Sequence, residues 1–238
     1  MAKVFIGVGH GGKDPGAAAN GFLEKDLNLS IALACNDDLL RHGVDTLMSR
    51  TTDEEDTLQQ EINECNAFGP ALAIDIHNNG GGGDGVEAYY HYAGGLSRIL
   101  AENILSEIVK IGQNSRGAKV RKGSDGRDYY GFIRQTACPA VIVECAFVDN
   151  ASDLQIIDTE EERKQMGVAL AKGILKTLGI PYVPLVPSLP ESDPVTSSPA
   201  PLPAQNEKAQ TIREEYPFWE RMLQLLSLWQ EKIREWMK

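Results

Sequence analysis

Cysteine is scarce in this chain. Only Cys35, Cys65, Cys138 and Cys145 occur among 238 residues, none in a CxxC pair. That excludes a disulfide scaffold and leaves reduced, structural thiols as the reading. Long apolar runs are missing as well. None approaches the roughly 18 residues that span a bilayer, so a transmembrane protein is excluded. Cations are in deficit, 23 Lys+Arg against 34 Asp+Glu, giving a net charge of −11. Non-specific nucleic-acid binding needs clustered Lys and Arg to neutralise phosphates, and this balance argues against it. The opening stretch Met1-Ala2-Lys3-Val4-Phe5-Ile6-Gly7 runs straight into strand-like sequence. It lacks the apolar length of a secretory signal, so none is expected.

What is present divides the chain in three. Residues 1–180 alternate strand-like and helix-like segments, the pattern of an α/β domain. Residues 181–204 hold eight of the twelve prolines and read as an extended linker. Residues 205–238 form an amphipathic helical tail. Strands are predicted at 2–8, 44–48, 71–76, 85–91 and 139–145, and helices at 25–42, 55–67, 95–111 and 160–178. In the first helix Leu27, Ile31, Cys35 and Leu39 share one face, and Gly43 is the expected stop. The runs Ala71-Leu72-Ala73-Ile74 and Ala140-Val141-Ile142-Val143 are almost uninterrupted apolar segments, as in strands covered by helices on both faces. A twisted, mostly parallel sheet flanked by helices follows, with ligands bound at the carboxyl ends of its strands.

Those ends carry unusual residues. The first strand leads into Gly9-His10-Gly11-Gly12-Lys13-Asp14-Pro15-Gly16, the third into His77-Asn78-Asn79, and the last carries Glu144; Glu24 opens the first helix. Two imidazoles and two carboxylates thus come to one rim. Two histidines and a glutamate suit Zn²⁺ and leave a fourth position for water. Bound zinc brings that water's pKa to about 7. A second carboxylate then serves as the base that takes its proton and later delivers it to a leaving amine. The glycines around His10 are expected to allow a sharp turn and to leave space for substrate. Singly these signals are weak: a lone histidine is more often packed than ligating, and Glu24 alone could merely suit a helix N-terminus. A buried Glu144 after four apolar residues is harder to explain without a role.

These residues resemble the zinc-dependent N-acetylmuramoyl-L-alanine amidases of the amidase type 3 family. The likeness runs through Gly9–Ala17 and Glu24, Arg50-Thr51-Thr52-Asp53, His77-Asn78-Asn79, Gly85–Tyr90, Asn114–Lys119 and Pro139–Asn150. It spans essentially residues 3 to 178. It implies a sheet of about six strands, one zinc ion held by His10, Glu24 and His77, and Glu144 as the catalytic glutamate. The implied substrate is peptidoglycan, cut between N-acetylmuramic acid and L-alanine of the stem peptide. Lacking a signal, such an enzyme is expected to be made in the cytoplasm and to reach the wall after release or lysis, as a phage endolysin or a mother-cell lytic enzyme does. The rival readings are another zinc peptidase specificity and an inactive wall-binding module.

The chain departs from the family pattern in places. An aspartate common ahead of the first histidine is missing from Ile6-Gly7-Val8-Gly9-His10, and an arginine common in the helix near Glu61 to Asn66 is missing too. Asp75 stands where serine is frequent; two residues before His77 it points to the same side and is expected to orient that imidazole. The short, glycine-rich stretch from His77 to Gly85 leaves no room for a blocking helix, so an open site is expected.

Other residues have simpler explanations. His42 suits a helix C-terminus, His91 a surface position, and Cys145 the sheet face opposite Glu144. Arg116, Lys119, Arg121, Lys122, Arg127 and Arg134 form a basic zone, read as a solvated loop, with contact to peptide carboxylates as the minority reading; Tyr129 and Tyr130 lie within it. In the tail, Trp219, Met222, Leu226, Trp229, Ile233 and Trp236 follow a 3,4 spacing. Six basic and six acidic residues between 205 and 238 disfavour a cationic membrane-surface helix. Self-association, or docking on the catalytic domain, is expected, with a small wall-targeting or partner-binding helix as the third option.

Overall fold

The computed structural model describes residues 1–185. Most of the proline-rich linker and the whole of the expected helix at 205–238 lie outside the described residues. Eight strands and six α-helices follow one another in that span: β1 Lys3–Val8, β2 Ala18–Ala19, β3 Phe22–Leu23, α1 Glu24–Arg41, β4 Asp45–Met48, α2 Leu58–Phe68, β5 Leu72–Asn79, β6 Val86–Tyr90, α3 Leu96–Ile108, β7 Ser115–Lys119, α4 Gly131–Gln135, β8 Ala140–Phe147, α5 Ala151–Leu154 and α6 Glu160–Leu178. A 3₁₀ turn, Val109–Ile111, extends α3. Six strands form one sheet in the order β4-β1-β5-β8-β6-β7, and β2 pairs with β3 in a small hairpin.

The apolar runs explain the central strands. In β5, Leu72, Ile74 and Ile76 enter the larger core, while Ala73 enters a smaller one with Phe5, Ile62, Phe132 and Ile142. Alternation therefore divides each strand between two layers. Helices α1, α3 and α6 cover one face, and α2 and α4 the other. On α1 the expected stripe Leu27, Ile31, Cys35 and Leu39 is fully buried. Glycines bring α6 close to its neighbours. A Cβ on Gly167 would stand 2.6 Å from the Ile31 carbonyl oxygen, and one on Gly173 would stand 2.5 Å from the Ile104 Cα. Both α2 and α6 begin with capping boxes, Thr57 with Gln60 and Thr159 with Glu162.

The pairing is parallel from β4 through β1 and β5 to β8, but β6 runs antiparallel to β8 and parallel to β7. The reason lies in loop length. Residues 80–85 return the chain from β5 to β6, and a parallel crossover needs a dozen residues or more. The reversal carries His91 away from the end of β5 that bears His77, because Tyr90 pairs with Val141 near the start of β8. There His91 lies 3.2 Å from Asp128. His42 caps α1 as expected: Nδ1 lies 2.6 Å from the Asp38 carbonyl, and Nε2 accepts from the Val183 amide, fastening the segment after α6.

Candidate functional site

The candidate site grows from the loop after β1, the first residue of α1 and the carboxyl end of β5. His10 follows β1 in a left-handed conformation, φ 64°, uncommon outside glycine. The surroundings hold it there. Arg50, fully buried, donates from Nε to the Val8 carbonyl (3.0 Å) and from Nη2 to the carbonyls of Gly9 (3.3 Å) and Lys25 (2.8 Å). Asn28 donates to the Gly9 carbonyl at 2.9 Å. Asp53 accepts from the Gly12 amide and pairs with Lys25.

The glycines serve the side chains of the site and not open space for substrate. A Cβ on Gly9 would fall 2.2 Å from the His77 ring, and one on Gly16 would fall 2.5 Å from Glu24 Oε2 and 2.6 Å from the His10 ring. Any larger residue at either position would displace the imidazole or carboxylate packed against it.

Three donor atoms meet above these turns. Glu24 Oε1 lies 3.2 Å from His10 Nε2 and 3.0 Å from His77 Nδ1. All three ligand atoms are within 4.8 Å of one another. Tetrahedral zinc with bonds of about 2.0–2.1 Å sets its ligands about 3.3 Å apart, so the spacing fits such an ion. The hydrogen-bond inventory fits as well. The other imidazole nitrogens already face carboxylates, His10 Nδ1 toward Asp14 at 2.8 Å and His77 Nε2 toward Asp75 at 3.2 Å. A ring that turns its proton outward to that carboxylate would present a lone pair toward Glu24, an arrangement that a cation would satisfy. Glu24 itself is buried and steadied by the amides of Ala17 (2.8 Å) and Asn78 (3.1 Å).

The electrostatics follow this crowding. Burial pushes the Glu24 pKa up, but its contacts with His10 and His77 outweigh that and hold it well below the usual carboxylate range. His10 is raised by its contact with Glu24. Burial lowers the His77 pKa, yet Asp75 and Glu24 lift it well above the ordinary value.

Glu144 stands beside this cluster. It pairs with His77 across β5 and β8, and with Glu87 across β8 and β6. By alternation His77, Glu144 and Glu87 form a row on the sheet face that α2 and α4 cover lower down. Burial raises the Glu144 pKa to about 7, against the lowering effect of His77. Cys145 falls in the opposite core, as expected. The site is open: His10 and His77 leave 25% and 20% of their side chains exposed. The β5–β6 connection is a glycine loop without a helix, tied down by Asp149, which accepts from the amides of Gly81 and Gly82.

All four residues singled out in the sequence thus lie together. Sequence reasoning missed Asp14 and Arg50 as parts of the site, although both stood within matched motifs. It also missed β7: the basic stretch read as loop contains an edge strand, and Arg116 (2.6 Å) and Lys119 (2.5 Å) both close on Glu87.

The sheet topology and this rim define an α/β protein with two imidazoles and two carboxylates gathered at one edge of a mostly parallel sheet. Comparison makes the assignment particular. The sequence matches the N-acetylmuramoyl-L-alanine amidase family over residues 4–176. The N-acetylmuramoyl-L-alanine amidase CwlM of Bacillus licheniformis is 35% identical over 184 residues, covering 76% of this chain and 70% of that protein. An endolysin of Bacillus phage SPP1 is 31% identical, covering 76% of this chain and 68% of the phage protein. The structure of the amidase AmiC2 of Nostoc punctiforme matches with a TM-score of 0.67 at 30% identity, over 75% of this chain and 97% of that one. The chain belongs to the N-acetylmuramoyl-L-alanine amidase family, hydrolases of the peptidoglycan amide bond between N-acetylmuramic acid and L-alanine.

Proposed function

We propose that His10, Glu24 and His77 hold a single zinc ion and that Glu144 moves the proton in hydrolysis of the muramoyl–L-alanine amide. The observation that carries this reading is the spacing of 3.0–3.2 Å between Glu24 Oε1 and both imidazole nitrogens, with Glu144 in register beside His77. When bound, the metal would supply Lewis acidity and a water acidified to near neutrality. The chain's own residues do the rest. Asp14 and Asp75 accept the outward imidazole protons and so fix the tautomers that leave His10 Nε2 and His77 Nδ1 free to ligate. Glu144 takes the proton from the attacking water and passes it to the departing L-alanine nitrogen, a task suited to a carboxyl with a pKa of about 7.

The phage endolysin among the relatives supports a lytic setting, with an enzyme made in the cytoplasm that acts on the wall after release or lysis. The heptad-like spacing at Trp219–Trp236 supports assigning 205–238 to self-association. Mass spectrometry of purified peptidoglycan fragments tests the reaction. Stem peptides with a free L-alanine amine should appear, vanish with a chelator and return with zinc. Glu144→Ala should retain stoichiometric zinc and lose activity by a factor of about 10²–10⁴. Bound zinc with no cleavage would overturn the substrate assignment in favour of another peptidase or a wall-binding role.

A further inference from the structure

Glu87 is a buried carboxylate at the end of the row that begins with His77 and Glu144. Two cations close on it, Arg116 through Nε and Lys119 through Nζ, and the Tyr89 hydroxyl donates to it at 2.8 Å. Burial raises the Glu87 pKa, but Lys119, Arg116 and Tyr89 together bring it below the ordinary range, so the carboxylate is charged. Two cations against one anion leave a surplus positive charge on this face. It sits within a stretch, 116–134, that carries six cations and two carboxylates in a protein of net charge −11.

The pair is also shaped for a ligand. Arg116 is held twice over: its Nε is fixed by Glu87, and its guanidinium carbon lies 5.0 Å from the Phe147 ring centroid. Phe147 is itself wedged against the glycine loop, where a Cβ on Gly83 would meet the ring at 2.2 Å. The guanidinium plane is thereby set before any ligand arrives, while its two terminal nitrogens make no hydrogen bond among the described residues. Arg116 and Lys119 keep 38% and 33% of their side chains exposed. A planar guanidinium with free terminal N–H groups beside an ammonium is a receptor for a carboxylate.

Its place on the sheet says which carboxylate. Strands are about 4.8 Å apart, so Glu87, two strands from His77, lies about 10 Å from the zinc-binding cluster. An extended peptide advances about 3.3–3.6 Å per residue. A stem peptide whose first amide is cut beside Glu144 therefore brings the carboxylate of its second residue within a side-chain length of Arg116 and Lys119. We propose that Arg116 and Lys119, clamped on Glu87, form the subsite for a free carboxylate on the residue after L-alanine, and that the enzyme selects stem peptides bearing that carboxylate over those in which it is amidated. This rests on the amidase reading.

The test is a matched pair of muramoyl peptides, one with an acidic second residue and one with its amide, assayed with the zinc-loaded full-length chain. The acid should be cut with a kcat/KM about ten- to a hundredfold higher, mostly through KM, as expected for a charge-assisted pair. In Arg116→Gln and Lys119→Met that preference, read as the ratio of kcat/KM for acid over amide, should fall toward unity. Arg116→Lys should restore part of it, which separates recognition from a merely structural role. Unaltered melting temperatures establish that the variants fold. Equal cleavage of acid and amide by the unmodified protein, or a preference that survives in both variants, overturns the subsite and leaves the amidase reading standing. Cleavage of neither peptide overturns both.

Discussion

Each imidazole of the His10–Glu24–His77 cluster is held from behind by a carboxylate, and the two carboxylates come from different sources. Asp14 reaches His10 from the same tight loop, whereas Asp75 reaches His77 from two residues back along one strand. Both act on ring orientation and basicity, so each should matter for metal affinity out of proportion to its distance from the reacting bond. Asp14→Ala and Asp75→Ala are expected to weaken zinc binding by about 10–100-fold each. Competition with a chromogenic chelator checks this. Asp14 is two-thirds exposed and Asp75 buried, so the loss in Asp14→Ala should come without a change in melting temperature. Asp75→Ala should also change stability, because it removes a buried side chain that overhangs Gly7 together with Glu61. Unchanged zinc affinity in both variants would mean that backbone and packing alone set the rings.

At the scale of elements, the contact between α2 and the sheet contains an unusual pair. Glu61 Oε1 and Asp75 Oδ1 are buried without hydrogen-bond partners and both overhang Gly7, where a Cβ would lie 1.9 Å and 2.9 Å from them. Burial first, then the Asp75 carboxylate, push the Glu61 pKa well above its ordinary 4.5, so the folded protein holds that proton to higher pH than the unfolded chain does. The unfolded chain releases it above about 4.5. A carboxyl raised in the folded state favours folding fully only below the unfolded value, and its contribution is lost as pH climbs toward the raised one. Glu61→Gln should therefore leave stability near pH 4 almost unchanged and raise it at pH 8. Urea midpoints at both pH values decide the matter, and a midpoint that falls at pH 8 would show that Glu61 is ionised and paired.

The same region shows what the sequence could reveal. The absent arginine near Glu61 and the presence of Asp75 were both visible, and so was the orienting role of Asp75. That Glu61 would stack on Asp75 was not, because it depends on how α2 crosses β1 over a glycine. Strands β1, β5 and β8 were legible because apolar runs buried on both faces have few other readings. Strand β7 was hidden: Ser-Arg-Gly-Ala-Lys has no apolar alternation, and as an edge strand it needs none. The direction of β6 was encoded only in the brevity of the loop before it. The four candidate site residues were legible in sequence because histidines and carboxylates are conspicuous beside glycine turns, a helix start and apolar strands; the Glu87 clamp was not, since it needs β6 and β7 paired with a shifted register.

On the scale of the whole molecule, the described span Met1–Leu185 is a compact unit of its own. Among the described residues its two cores draw on both the sheet and the helices, and the segment after α6 is tied back by the stacking of Tyr182 on His42 and by the hydrogen bond from the Val183 amide to His42. Among the described residues the candidate site draws on segments up to Asp153, which anchors the glycine loop by accepting from the Gly85 amide. A chain ending at residue 185 should therefore fold with the melting temperature of its own core and cut soluble muramoyl peptides within about twofold of the full-length rate, a difference of well under 1 kcal/mol in barrier. The spacing of Trp, Met, Leu and Ile in 219–236 is the feature such a truncation removes. If that segment mediates self-association, sedimentation should find the full-length protein as an oligomer at micromolar concentration and the truncated one as a monomer. Loss of cleavage of soluble fragments on truncation would place the segment in the catalytic unit, and equal sedimentation of the two chains would remove self-association as its role.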